Sequence, residues 1–215
     1  MKKELKNFII ESDFPHTYFN DIIDYIISNE KRILNFFNLE KLPNKVRIIL
    51  LSYEPFKNFI ISKYGEILNY ISADSDSPTN TIRILNVEDQ IKHTTHKDAN
   101  VDKIKKTVLH EIVHQCHHTY HMDYNQITWF AEGLATNLSN QDYTLQNLDK
   151  CDFDKLKKDF RHYKGGYKFS YTIINYILSN YSDEEIYKLY SNPNYLREKA
   201  DFIFEEAKKW TKEKH

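Results

Sequence analysis

A chain of 215 residues is long enough to bury a substantial core and short enough to form one domain. Lysine and arginine number 30 against 31 aspartates and glutamates, so the chain has no net field to attract a nucleic-acid backbone and no nucleic-acid partner is expected. With 4 glycines, 5 prolines and a 40% hydrophobic share, it is neither disordered nor built on glycine-rich phosphate loops.

The opening stretch MKKELKNFIIESDF meets Glu4, Asn7 and Glu11 before any long apolar run, so no signal-peptide core is expected. After Pro15, Phe19, Ile22, Ile23, Ile26, Ile27, Ile33, Leu34 and Phe37 follow a helical period. They predict a long helix over residues 15–38, broken near Ser28 and Asn29, with Leu42 and Pro43 beyond its end. KVRIILLSY, Lys45 to Tyr53, is predicted to be a strand buried on both sides. Ile67 to Ser72 is a second predicted strand, Asp74 to Asn80 a turn or surface loop, and TIRILN, Thr81 to Asn86, a half-buried or edge strand.

Helices are predicted over Asp102–His121, Thr128–Ser139, Phe153–Tyr163, Ser170–Ser179, Asp183–Leu189 and Asp201–Trp210. The expected fold class is α+β in a single domain of residues 1–215: a helix and small sheet over 1–101, then a mainly helical part over 102–215. No run of about eighteen apolar residues is present, so no membrane partner is expected. Cys116 and Cys151 are too few for a disulfide framework. A cytoplasmic monomer with reduced thiols is the expectation.

The stretch LHEIVHQCHHTYHMD, Leu109 to Asp123, holds five histidines. Its HEIVH segment matches H-E-x-x-H. Histidines four apart on a helix share a face, so His110 and His114 can reach one zinc ion, and Glu111 is offset by about 100° toward a metal-bound water. A carboxylate there can take the proton from that water and later pass it to a leaving group. The apolar residues Val108, Leu109, Ile112, Val113, Cys116 and Tyr120 fall on a different arc, which lets the helix bury one face and present the imidazoles on another.

A catalytic zinc takes a third protein ligand. His93, His96, His117, His118, His121 and several carboxylates are available, and Glu132 in TWFAEGLATNL is the preferred one because large apolar neighbours anchor its helix. Gly133 beside it is costly in a helix interior and signals a close approach between backbones. His117, His118 and His121 are expected to be polar surface or hydrogen-bonding groups, and Cys116 a buried thiol.

HEIVH followed by WFAEGLA resembles the gluzincin metallopeptidases, in particular the peptidase MA-like group. The resemblance runs from about Val46 to Leu189. It implies zinc held by His110, His114 and Glu132, with Glu111 as general base. It also implies a mixed, twisted sheet beside a zincin-like active-site helix, with TIRILN as the outer strand along the cleft and a peptide or protein as substrate. Gln115 to Ala131 separate the second histidine from the glutamate by 17 residues, one fewer than is usual in the related aminopeptidases, and the loop HMDYNQI is expected to absorb the difference. In GGYKFSYTIINYIL, which resembles the downstream segment of these enzymes, Tyr167 is the first choice and Tyr171 the second for a donor to the oxyanion.

Where relatives carry an acidic residue one turn after the ligand glutamate, this chain has Thr136 and then Asn137, so neither supplies a charge to orient the histidines. The G-x-M-E-N sequence that helps hold the substrate amino terminus in the related M1 aminopeptidases is missing, which favours an endopeptidase or a specialised peptidase over an aminopeptidase of that kind. The leading expectation is therefore a zinc metallopeptidase. Two alternatives stay open: a peptide-binding or scaffold protein that keeps the fold without the chemistry, and a zinc amidohydrolase acting on a non-peptide amide.

Overall fold

Val46, Ile48 and Leu50 are buried at 1% exposure or less while Arg47 between them is exposed, so the first long apolar run is an alternating strand and not one buried on both sides. Arg47 instead reaches sideways to Glu11 on the neighbouring strand at 2.7 Å. The computed structural model describes residues 1–214, which form two compact units, Met1–Cys116 and the chain from His117 onward.

The first unit contains β1 (Lys2–Glu4), β2 (Phe8–Ser12), α1 (Phe19–Phe36), β3 (Val46–Leu51), α2 (Tyr53–Tyr64), β4 (Ala73–Asp76), β5 (Thr81–Leu85), α3 (Val87–His93) and α4 (Val101–His117). The five strands make one mixed sheet in the order β1-β2-β3-β5-β4. β2, β3 and β5 run parallel, and β1 and β4 pair antiparallel at the two edges.

Three expectations change here. Thr81–Leu85 is an interior strand, with Ile82, Ile84 and Leu85 fully buried; the outer strand on that side is β4. Ile67 to Ser72 is not a strand, and Leu68 and Ile71 pack instead on the cluster of Phe56, Ile60 and Leu85 under α2. The strand next to it, β4, lies in a stretch expected to be loop. Its polar sequence is tolerated because buried Asp74 receives Lys63 at 2.7 Å and the Tyr64 hydroxyl at 2.8 Å.

α1 runs unbroken through Ser28 and Asn29, whose side chains donate to the Tyr25 carbonyl, each at 2.9 Å, within the helix. α2 has a left-handed Gly65 as its C-cap, at φ 82°. α3 is capped by Asn86, whose side chain accepts from Asp89 N–H at 2.8 Å.

The second unit is helical: α5 (Thr128–Leu138), α6 (Phe153–Lys158), α7 (Gly166–Asn180), α8 (Asp183–Ser191) and α9 (Pro193–Lys214), with short 3-10 turns at Leu148–Lys150 and Phe160–His162. α9 starts eight residues earlier than expected, with Pro193 at the first helical position where its missing N–H costs nothing. Ser182 and Glu185 form a reciprocal capping box that starts α8. The architecture is thus α+β with a mainly helical C-terminal part. Among the described residues no helix is long and apolar enough to cross a membrane.

Candidate metal centre

Val108, Leu109, Ile112, Val113 and Cys116 on α4 are each exposed by 2% or less, as their helical spacing requires. Burial pushes the Cys116 thiol pKa well above its ordinary value, so it stays protonated and is a poor metal ligand. The other face of α4 carries His110, Glu111 and His114.

The Nε2 atoms of His110 and His114 stand 3.1 Å apart, with the ring planes at 78°. Two imidazole nitrogens at about 2.0–2.1 Å from one tetrahedral ion would be about 3.3–3.4 Å apart, so the pair already matches a shared cation to within a few tenths of an ångström. His110 is buried, while Glu111, His114 and Glu132 are half-buried. Ligand atoms of His110, His114 and Glu132 all lie within 4.8 Å of one another, and among the described residues these three make the group that could hold a metal ion. Two neutral imidazoles and one carboxylate suit a divalent first-row cation.

α5 holds Glu132 firmly because Trp129, Phe130, Leu134 and Ala135 around it are fully buried. The close approach signalled by Gly133 is to α7. A Cβ there would sit 2.7 Å from the Ser170 carbonyl oxygen and 2.5 Å from Ile174 Cγ1. The Thr136 hydroxyl bonds to the carbonyls of Glu132 and Gly133, both at 2.9 Å, and Asn137 donates to Gly133 at 2.8 Å and to the Tyr171 carbonyl at 3.1 Å. These two side chains therefore brace α5 and its packing on α7.

The remaining candidate histidines are engaged elsewhere. His93 stacks on Tyr53 with ring centroids 3.7 Å apart, and His96 Nε2 meets the Tyr70 carbonyl at 2.9 Å. His117 and His121 both place Nε2 on the Tyr190 carbonyl in the last turn of α8, at 3.0 and 3.1 Å. A carbonyl only accepts, so both rings carry the proton on Nε2 and cannot offer that nitrogen's lone pair to a cation. His117 is 1% exposed, which corrects the expectation of a surface role and supports that of a hydrogen-bonding one. His118 lies against the ring of Tyr124 at 5.0 Å.

Tyr167 is 44% exposed in the first turn of α7, with its ring edge-on to Phe160 at 5.1 Å. Tyr171, the second choice, packs on Tyr143 at 5.8 Å. Sequence reasoning missed two tyrosines that feel the charge of Glu132, Tyr124 and Tyr143. Burial first, and that charge second, push both phenol pKa values upward. It also missed Gln115, which joins α4 to β4 through the Ser75 hydroxyl at 2.6 Å.

Comparison of the chain with known protein families, with curated proteins and with solved structures returns no match.

Proposed function

We propose that this protein is a zinc-dependent peptidase, with His110, His114 and Glu132 holding the metal and Glu111 serving as general base. The observation that carries the proposal is the convergence within 4.8 Å of ligand atoms from His110 and His114 on α4 and Glu132 on α5, with the half-buried carboxylate Glu111 directly after His110. A structural metal site has no use for that carboxylate beside an open coordination position.

When bound, zinc supplies a water acidified to near neutrality and polarisation of the substrate carbonyl. Held through the facing Nε2 atoms, both histidines would offer those lone pairs to the metal and keep their protons on Nδ1. Glu111 takes the proton of the attacking water and delivers it to the departing amine, which balances the hydrolysis of one amide bond. Tyr167 is the proposed hydroxyl donor to the developing oxyanion.

A peptide substrate is favoured over other amides by β4. It is the edge strand of the sheet on its side among the described residues, and Gln115, the residue after His114, is bonded to it. An extended chain adds to such an edge through backbone hydrogen bonds. Cleavage at internal bonds of that chain makes the proposed enzyme an endopeptidase.

The experiment is a screen of internally quenched peptides with zinc-loaded wild type and Glu111→Gln. The expected outcome is internal cleavage by wild type that falls by at least about 100-fold in the variant. Equal cleavage by both would remove Glu111 from the mechanism. Binding without cleavage by zinc-loaded wild type would favour the non-catalytic peptide-binding role.

A further inference from the structure

The loop between α4 and α5 contains a buried hydroxyl that the proposed reaction does not use. Tyr124 Oη is shielded from solvent and has no hydrogen-bond partner among the described residues. Such a group is costly and uncommon, because a buried hydroxyl loses water without gaining an acceptor.

Several contacts build its position. The Tyr124 ring packs against His118 at 5.0 Å and against His117 and His121 at 5.3 Å, in the stretch that continues α4 beyond His114. Its carbonyl accepts the Ile127 N–H at 3.0 Å and the Thr128 hydroxyl at 3.2 Å. Thr128 and Glu132 are four residues apart on α5 and share a face, so Tyr124 stands at the head of the face that carries the candidate ligand.

The flanking chain is clamped as well. Arg197 pairs with Asp123 at 2.5 Å and donates to the Asn125 carbonyl at 3.1 Å, while Gln126 takes a left-handed conformation at φ 62°. Glu132 is close enough for its charge to act on the phenol. A phenol hydroxyl is a hydrogen-bond donor, and a carboxylate oxygen is an acceptor for it.

We propose that Tyr124 is the positioning residue for Glu132, its hydroxyl donating to the ligand carboxylate and orienting it when the cation is held. The inference rests on the reading of His110, His114 and Glu132 as metal ligands. Carboxylate ligands of metals are in general oriented by such an outer hydrogen bond, and losing one typically weakens metal binding by about 10–100-fold.

The role separates cleanly from ordinary packing. Tyr124→Phe keeps the ring on its histidine neighbours and deletes an unpaired buried hydroxyl, so the metal-free variant should unfold at the same temperature as wild type or a higher one. Metal binding should move the other way.

The test titrates cobalt(II), read by its visible absorption, into metal-free wild type, Tyr124→Phe, Tyr143→Phe and Glu132→Ala, with thermal unfolding of each metal-free protein beside it. The expected result is cobalt affinity lowered about 10–100-fold in Tyr124→Phe, a change under about twofold in Tyr143→Phe, and loss in Glu132→Ala. Wild-type affinity in Tyr124→Phe, with binding lost in Glu132→Ala, would overturn the positioning role and leave the metal site standing. A wild type that binds no cobalt, or binds it equally without Glu132, would overturn both.

Discussion

Gln115 donates its side-chain amide to the Ser75 hydroxyl at 2.6 Å, so the residue directly after His114 is bonded to the outer strand of the sheet. Gln115 is 4% exposed, and its loss strands a hydroxyl on β4. Gln115→Ala is expected to cost about 1–3 kcal/mol in chemical denaturation. The double variant with Ser75→Ala should cost less than the two single losses added together, because both remove the same bond. Strict additivity would contradict a direct contribution of this bond.

Gly133 lets α5 approach α7 closely. A methyl group there meets a backbone oxygen at 2.7 Å, which moves less readily than the end of a side chain. Gly133→Ala is expected to destabilise the protein by about 1–3 kcal/mol through overpacking, against the gain in helix propensity that alanine brings at an unconstrained position. A variant as stable as wild type would mean that the two helices separate at no cost.

The His117, His121 and Tyr190 arrangement predicts a pH dependence. Burial is the main cause that lowers the His121 pKa below its ordinary 6.5, opposed by its hydrogen bond to Tyr190. As pH falls through 6.5, the unfolded chain binds this proton before the folded one does, so stability declines toward the lower folded value. Above that window the ring is neutral in both states and adds no slope. Melting temperatures of wild type and His121→Gln between about pH 7.5 and 5 check this: the variant, with an amide donor in place of the imidazole, should lose less stability on acidification. An equal loss in both would place the acid sensitivity in other groups.

Tyr167 stands half-exposed in the first turn of α7. If its hydroxyl serves the oxyanion, Tyr167→Phe lowers kcat by about 100- to 1,000-fold with KM little changed. Steady-state kinetics on a cleaved peptide give the answer, and an unchanged kcat would remove Tyr167 from the mechanism.

The helices that carry the candidate ligands were legible because Val108, Ile112 and Cys116, and likewise Phe130, Leu134 and Leu138, fall at the helical period and are buried. Of the candidate ligands, His110 and His114 follow from their spacing on α4, and Glu132 from the large apolar neighbours that anchor its helix and the resemblance of its segment. β4 was hidden because Ala73–Asp76 is polar, and only the fold supplies the Lys63 and Tyr64 that neutralise Asp74. Without β4, the sequence pattern puts Thr81–Leu85 at the edge of the sheet, where the structure has β4. The short strands β1 and β2 were masked by the charges of Lys2, Lys3, Glu4 and Glu11, several of which pair across strands. Tyr124 and Tyr143 acquire their relation to Glu132 through tertiary packing, which no motif spacing encodes. His117 looked like part of a polar cluster, and its burial depends on a carbonyl 73 residues further along the chain.

His110, His114 and Glu132 form the group that could hold one metal ion, on which the proposed chemistry depends. Elemental analysis of protein purified without a polyhistidine tag, comparing wild type with Glu132→Ala and His118→Ala, tests it most directly. The prediction is near-stoichiometric zinc in wild type and His118→Ala and little in Glu132→Ala; zinc that survives Glu132→Ala and disappears with His118→Ala would contradict it.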